Sequence, residues 1–462
     1  MYKNKLSIKQ GLNIIIVGCG KVGATLVEQL VKEQHDITII DKNFNVIQEI
    51  TDMYDVMGLA GNGASYSVQM EAGIQKADLI IAVTDSDELN LLCCTMAKRV
   101  GNCAAIARVR TPDYVGDVGF IREQLGLAMI INPELEAAKV ASRILFLPTA
   151  LQVNSFAHGQ AELIRFKIPD GNFLDGITIE HLAHTVAASI LICAVERDDE
   201  ITIPSGNFRL QQGDVVSVVA ARKAVKEFLE DIGFKTKRVK NTLIIGGGNA
   251  AVYLAKQLQN YGVYVKIIEK DPARCEELSI LLPKAVIING DGTDQDLLIE
   301  EGIESAESFV PLTGIDEENV MLSLFAKQTS KAKLITKINR INFKNVISSL
   351  DLGSVIYPRY ITSEAIIAYV RARKASIDSN IETLYHIFDN RAETIEFRVT
   401  ENSKVTDTPL SELSLKPELL LAFINRRGNI IIPSGQDYIQ TGDTVMVVTT
   451  QTGLTDITDI LA

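Results

Sequence analysis

Three glycines carry the clearest chemical signal in this chain. Gly18, Gly20 and Gly23 form a GxGxxG pattern directly after the apolar run Ile14–Val17 and at the start of a helical stretch. In that setting the first glycine allows a tight turn. The second lets a pyrophosphate approach the backbone, and the third lets the helix pack close to the sheet. Free N–H groups and the partial positive charge of the helix start then favour phosphate. Asp41 follows Gly18 by 23 residues and closes the run DITIID. A carboxylate there accepts both ribose hydroxyls and repels a 2′-phosphate, so NAD is expected rather than NADP. The bland alternative is a glycine turn kept only for packing.

The pattern occurs twice. Gly246, Gly247 and Gly248 follow the run LII, and Ala251 stands where the third glycine would be, a replacement the fingerprint tolerates. Glu269 takes the place of Asp41 and still grips a diol. Gly18 and Gly246 are 228 residues apart, as are Asp41 and Glu269. AVTDSDELN (82–90) returns as PLTGIDEEN (311–319), and ITIPSG (201–206) as IIIPSG (430–435). An offset held over so much of the chain means two copies of one unit.

Other strand ends complete each expected cleft, because ligands of parallel α/β sheets lie across the carboxyl ends of the strands. In the first copy these are Gly61-Asn62-Gly63, Thr84 with Asp85, and Arg108. Arg108 reaches either a phosphate or ribose, or an acidic neighbour. In the second copy Gly290-Asp291, Thr313 and Lys337 occupy related places. Lys337 lacks the planar fork of arginine, so the two sites are expected to differ in affinity.

The elements that must position these residues are legible in outline. Each unit opens with apolar strands alternating with helix-length stretches, which implies a parallel sheet covered by helices on both faces. A smaller part follows, richer in strand alternation (AELIRFKIP, ASILICAVER, DVVSVVAA), and reads as an α+β module. Amphipathic helices over 133–147 and 358–373 join the two parts, each opened by a proline at a first-turn position. With apolar faces lacking a core of their own, they are expected dimer contacts. The predicted domains are 1–132, 133–230, 239–357 and 358–462. The basic run FKTKRVKNT (234–242) reads as a solvated linker.

Composition narrows the function classes. The 462 residues hold 46 Lys and Arg against 58 Asp and Glu, a net charge of −12. So acidic a chain has no global attraction to nucleic acid or to an anionic lipid surface. No run of about 18 apolar residues suggests a membrane span, and Met1–Gly11 lacks the apolar core of a secretory signal. A cytoplasmic protein is expected. The six cysteines (Cys19, Cys93, Cys94, Cys103, Cys193, Cys275) form no CxxC pair and read as buried thiols. His181 and His184 share a helical spacing but have no third ligand nearby, so no metal is expected. No Ser/His/Asp set, Cys/His pair or tyrosine–lysine YxxxK pattern supplies acid–base chemistry. These observations favour a ligand that is bound and not consumed, over an NAD-dependent oxidoreductase.

The segments GCGKVGATLVEQL, ITIIDKN, AVTDSDELN and IARVRTPDYV, their duplication and the trailing IPSG…GD modules resemble the TrkA family of Trk-type potassium uptake proteins. The resemblance runs from about residue 13 to the end. It implies two RCK units, each a Rossmann-like N-domain followed by a small α+β C-domain. It further implies a regulatory subunit, not an enzyme, on the inner face of the cell membrane. Such a subunit docks on a membrane potassium transporter, assembles as a homotetrameric ring and binds NAD(H), with ATP or ADP as further ligands. Carried over to this chain, the family's ligand residues are Gly18, Cys19, Gly20, Lys21, Val22, Asp41, Thr84, Asp85 and Arg108. In the second unit they are Gly246, Gly247, Gly248, Asn249, Ala250, Glu269 and Thr313. A regulator of another cation transporter would share nearly all of these motifs.

Overall fold

The computed structural model describes residues 11–147, 150–198, 200–234, 239–339, 347, 350, 352–378, 380–387, 391–401, 403–451, 454 and 456–462. In chain order the first copy holds β1 (Asn13–Val17), α1 (Lys21–Lys32), β2 (Asp36–Asp41), α2 (Phe44–Met53), β3 (Met57–Ala60), α3 (Tyr66–Glu71), β4 (Leu79–Ala82), α4 (Asp87–Val100), β5 (Ala104–Arg108), α5 (Val118–Gln124) and β6 (Met129–Ile131). A joining helix α6 (Pro133–Phe146) leads to β7 (Gln152–Phe156), β8 (Ala161–Lys167), α7 (Ile179–Thr185), β9 (Ile190–Arg197), β10 (Glu200–Thr202), β11 (Val215–Ala221) and α8 (Arg222–Asp231).

The second copy repeats the scheme with β12 (Asn241–Ile245), α9 (Asn249–Asn260), β13 (Tyr264–Glu269), α10 (Pro272–Leu281), β14 (Val286–Asn289), α11 (Gln295–Glu300), β15 (Ser308–Pro311), α12 (Asp316–Thr329), β16 (Lys333–Lys337) and β17 (Ser354–Ile356). Its joining helix is α13 (Pro358–Asp378), longer than the sequence pattern suggests. After it come β18 (Ile381–Ile387), β19 (Ala392–Arg398), β20 (Leu419–Arg426), β21 (Asn429–Ile431) and β22 (Thr444–Thr449).

Both large sheets are parallel and doubly wound, in the orders β3-β2-β1-β4-β5-β6 and β14-β13-β12-β15-β16-β17. The central strands are buried on both faces, which is why they read as unbroken apolar runs and not as alternation. Strand order reverses between β1 and β4 and again between β12 and β15. That is the topological switch point where open α/β sheets bind ligands.

The small sheets are antiparallel, in the orders β10-β9-β11-β8-β7 and β18-β19-β22-β20-β21. In each, the pairing of the central strand with one neighbour (β11 with β9, β22 with β20) shifts register where Cys193 and its repeat partner Ala422 are skipped. One face of each small sheet meets the other in a shared core that includes Phe156, Leu163, Cys193, Phe423, Met446 and Val448. The opposite face of the first is covered by α8 through Val225, Phe228 and Leu229. Arg197 of β9 and Arg426 of β20 each clamp a buried aspartate, Asp214 at 2.7 Å and Asp443 at 2.8 Å. The GD pairs of the sequence repeat are therefore ion-pair anchors in both copies.

By its contacts the chain forms two compact units. One is the first doubly wound domain with Tyr357–Ile367; the other is Ala138–Ile356 with Ala368–Ala462. Inside the second unit the later half of α6 lies on α9. The Ser142 hydroxyl donates to Gln257 Oε1 at 2.7 Å, and the Phe146 and Tyr261 rings meet edge-on at 4.4 Å. The apolar face read as an inter-chain contact is therefore covered in that half by the chain's other repeat. Of the basic run 234–242, residues 235–238 lie outside the described residues. Its ends are anchored: Phe234 packs against Phe166 at 5.1 Å, and Asn241 opens β12.

Because Phe423 is fully buried in the core shared by the small sheets, Phe423→Ala is expected to cost about 3–5 kcal/mol. The reading is the urea midpoint of the small-domain transition, which should fall while that of the first doubly wound domain stays put.

Candidate nucleotide clefts

Gly18 ends β1 with φ +94, and its N–H donates to Ile40 O at 2.8 Å. A side chain here would place Cβ only 2.7 Å from Thr84 N, so the turn presses directly on the end of β4. Gly23, one turn into α1, would place a Cβ 2.0 Å from Gly18 O. Glycine is thus required at both positions by close backbone approach. In the second copy Ala251 occupies the Gly23 position, fully buried in α9. There the Gly246 turn stands farther off, with a Cβ at 3.2 Å from Thr313 N.

The middle positions behave oppositely. Gly20 and Gly248 are the N-caps of α1 and α9, both with extended backbone, and a Cβ at either would meet nothing within 4 Å. That free space lies at the helix N-termini, where N–H groups lack intrahelical partners.

The acids are held by the backbone. Asp41 accepts from Cys19 N at 2.6 Å and from Asn43 N at 2.9 Å. Glu269 accepts from Gly247 N at 2.6 Å and from Asp271 N at 2.8 Å. Each carboxylate therefore joins its glycine turn to the next strand–helix loop. Each oxygen still has acceptor capacity for a hydroxyl. Cys19 is buried in the first turn, and burial, with Asp41 beside it, pushes its thiol up to about 12. Burial raises Cys93 and Cys193 to about 12 as well, and all six cysteines are free and buried.

Across the switch point, Thr84 and Arg108 are tied together by Asn90 of α4. Its Oδ1 accepts from Thr84 N at 2.8 Å and Thr84 Oγ1 at 2.7 Å, and its amide donates to Thr84 O at 3.1 Å and Arg108 O at 2.9 Å. Asn319 makes the same four bonds to Thr313 and Lys337 O, at 2.9–3.3 Å. Both asparagines are fully buried. Three residues earlier, buried Asp87 accepts from Arg110 N, Thr111 N and the Thr111 hydroxyl, and Asp316 accepts from Asn339 N and Nδ2. The signal for these residues lay in the repeat itself, since AVTDSDELN and PLTGIDEEN align both the aspartates and the asparagines.

Arg108 is buried, and its guanidinium donates to Thr84 O and to Asp85 Oδ1, the latter at 3.2 Å. Burial lowers its pKa from the usual arginine value, and Arg110 nearby adds to that. Its Nε has no hydrogen-bond partner. Lys337, its counterpart, donates to Leu312 O at 3.1 Å. Asp85 is fully exposed, and its counterpart is Gly314.

The structure thus gathers Gly18, Cys19, Gly20, Lys21, Val22, Asp41, Thr84, Asp85 and Arg108 at the carboxyl ends of β1, β2, β4 and β5 and the start of α1. Gly246, Gly247, Gly248, Asn249, Ala250, Glu269 and Thr313 gather at the equivalent ends in the second copy. One neighbour escaped sequence reasoning. Arg274 of α10 donates through Nε to Gly247 O at 2.8 Å and through Nη2 to Asn249 Oδ1 at 3.4 Å. Its repeat counterpart is Val46, so the duplication held no hint of it. His181 and His184 lie on α7, both exposed. Among the described residues no group of three His, Cys, Asp or Glu is placed to hold a metal, and no helix is long and apolar enough to cross a membrane.

Two doubly wound domains, each with a glycine turn facing an acid and each followed by a small antiparallel domain, define a tandem Rossmann-like chain. The TrkA-N domain model matches residues 14–133 and 242–358, and the TrkA-C domain model matches 163–233 and 394–462; the chain belongs to the TrkA family. It is 32% identical to the Trk system potassium uptake protein TrkA of Haemophilus influenzae, over 94% of this chain and 95% of that protein. With TrkA homolog 1 of Methanosarcina mazei the identity is 31%, over 94% and 97%. Among solved structures the GsuK RCK domain aligns with a TM-score of 0.64 at 16% identity, covering 96% of this chain and 93% of that one. The GsuK channel bound to NAD aligns with the same score and identity, covering 96% and 78%. Those two share the fold.

Replacing Asn90 by Ala strands two backbone groups of Thr84 and the Arg108 carbonyl. The expected loss is about 2–3 kcal/mol, seen as faster amide exchange at the ends of β4 and β5. Cys19 is expected to resist iodoacetamide at pH 8 in the folded chain, because its thiolate fraction is on the order of 10⁻⁴. Labelling of the native protein as fast as of the urea-unfolded protein would contradict this burial.

Proposed function

We propose that this chain is a nucleotide-binding regulatory subunit of a membrane potassium transporter, with NAD(H) as a ligand of its clefts and ATP or ADP as further ligands. The observation that carries the reading is the open N-cap glycine, Gly20 or Gly248, set between a backbone-held acid and a helix start. That arrangement offers donors to a pyrophosphate and an acceptor to a ribose. The potassium reading is supported by the names of relatives that match over nearly the whole chain. The NAD reading is supported by a neighbour of the same fold described as bound to NAD.

In this reading the nucleotide is a signal. A ligand shifts a conformational equilibrium only by its differential affinity for the two states, so nucleotides that favour different states set different transport rates. The chain works from the cytoplasmic face as a peripheral homo-oligomer, a tetrameric ring. Its charge of −12 steers it toward the basic cytoplasmic loops of a membrane partner. It is not an enzyme in this reading: the nucleotide is bound and released unchanged.

Gly20→Val tests the first cleft, because a Cβ there meets nothing within 4 Å and the side chain enters the space beside the phosphate donors. The variant is expected to keep its melting temperature and to lose one nucleotide-binding event by calorimetry. Potassium flux through the reconstituted partner should then respond less to NADH. Unchanged NADH affinity with unchanged stoichiometry would remove the first cleft from the mechanism.

A further inference from the structure

We infer that the two clefts take different classes of nucleotide. The first selects a dinucleotide with a second ribose, and the second selects a mononucleotide that ends in a free phosphate. This rests on the nucleotide-binding reading above and assigns a ligand class to each copy.

The argument starts from topology. The acid that meets the adenosine ribose lies at the end of β2 or β13, on one side of the glycine turn. The rest of the ligand passes over the turn toward the ends of β4 or β15 across the switch point. The residue after the threonine at that end therefore meets the distal half of the ligand. In the first cleft it is Asp85, whose carboxylate is fully exposed and held at 3.2 Å by the Arg108 guanidinium. A carboxylate in that place accepts the hydroxyls of a second ribose and repels a terminal phosphate, the same discrimination Asp41 makes at the first ribose. In the second cleft the residue is Gly314, with no side chain and nothing within 4 Å of where one would stand. Both the acceptor for a second ribose and the repulsion of a phosphate are gone.

A second difference points the same way. At the start of α1 the first cleft carries Lys21, an exposed side chain on solvent. The second carries neutral Asn249, with Arg274 brought over from α10. Its guanidinium bonds Gly247 O and Asn249 Oδ1 and is fixed on its other side by Glu277. The second cleft thus has a planar, pre-positioned cation at its glycine turn, the donor type suited to phosphate oxygens. The first has an exposed ammonium in its place.

Single-cleft chains make the division measurable. Gly248→Val leaves the first cleft and Gly20→Val leaves the second, each in the full-length protein. Titration calorimetry with NADH and with ATP is expected to show the first cleft preferring NADH and the second preferring ATP. Asp85→Asn should then raise ATP affinity at the first cleft about tenfold. Gly314→Asp should lower ATP affinity at the second about tenfold, with NADH little changed or improved. Gly314→Asn controls for side-chain size and should leave ATP binding intact. Arg274→Met should weaken ATP at the second cleft and leave the first alone. If neither nucleotide binds the unmodified chain, the nucleotide reading itself falls. If both bind, but the ratio of ATP to NADH affinity is equal at the two clefts or unmoved by the exchange at 85 and 314, the division falls and the nucleotide reading stands.

Discussion

Gly18 sits so close to the end of β4 that a single added carbon would strike Thr84 N at 2.7 Å. This contact sets the geometry of the first cleft. It brings the turn after β1 against the switch point, places the α1 N-terminus over the sheet edge, and leaves Gly20 facing open space. Gly23 holds the helix down on the same turn by an equally tight approach to Gly18 O. Asp41 then locks the turn from the other side through Cys19 N. Substituting either glycine would open the cleft before any ligand contact was considered.

The second cleft shows how much of that device is needed. Ala251 replaces the helix glycine, and the Gly246 turn stands farther from Thr313. Glu269 is one methylene longer than Asp41, yet it still reaches a turn amide at 2.6 Å. The asparagine tie between the ends of the fourth and fifth strands is kept bond for bond. What varies is charge: a lysine, an aspartate and an arginine in the first copy become an asparagine, a glycine and a lysine in the second, with Arg274 added from α10. The backbone frame is duplicated and the side chains that line the clefts have diverged.

The small domains follow the same logic. Their sheets repeat one topology, the same skipped residue beside the central strand and one arginine–aspartate clamp, and they bury their apolar faces against each other. A small antiparallel sheet has too little core to stand on one face alone. The duplication thus supplies each small domain with its partner inside the chain. The joining helix α6 is treated likewise, with its later half lying on α9 of the other repeat.

Local pattern alone determined the two sheets, their order of elements, the glycine turns and the acids, because each is written in short segments: β-branched runs, a three-glycine spacing and one carboxylate at a strand end. The 228-residue offset made the duplication legible without any structure. Other features depended on contacts between distant segments. Asn90 and Asp87 look like ordinary polar residues of a helix start until the end of β5 arrives beside them. Arg274 has no counterpart in the other repeat, and only the packing of α10 over β13 and β14 brings it to the glycine turn. The sequence leaves Arg108 a choice between a phosphate and an acid, and the fold sets it against Asp85 and Thr84. Strand and turn identity follow from neighbours in the chain, whereas the partner of a buried polar side chain depends on which elements the fold brings together.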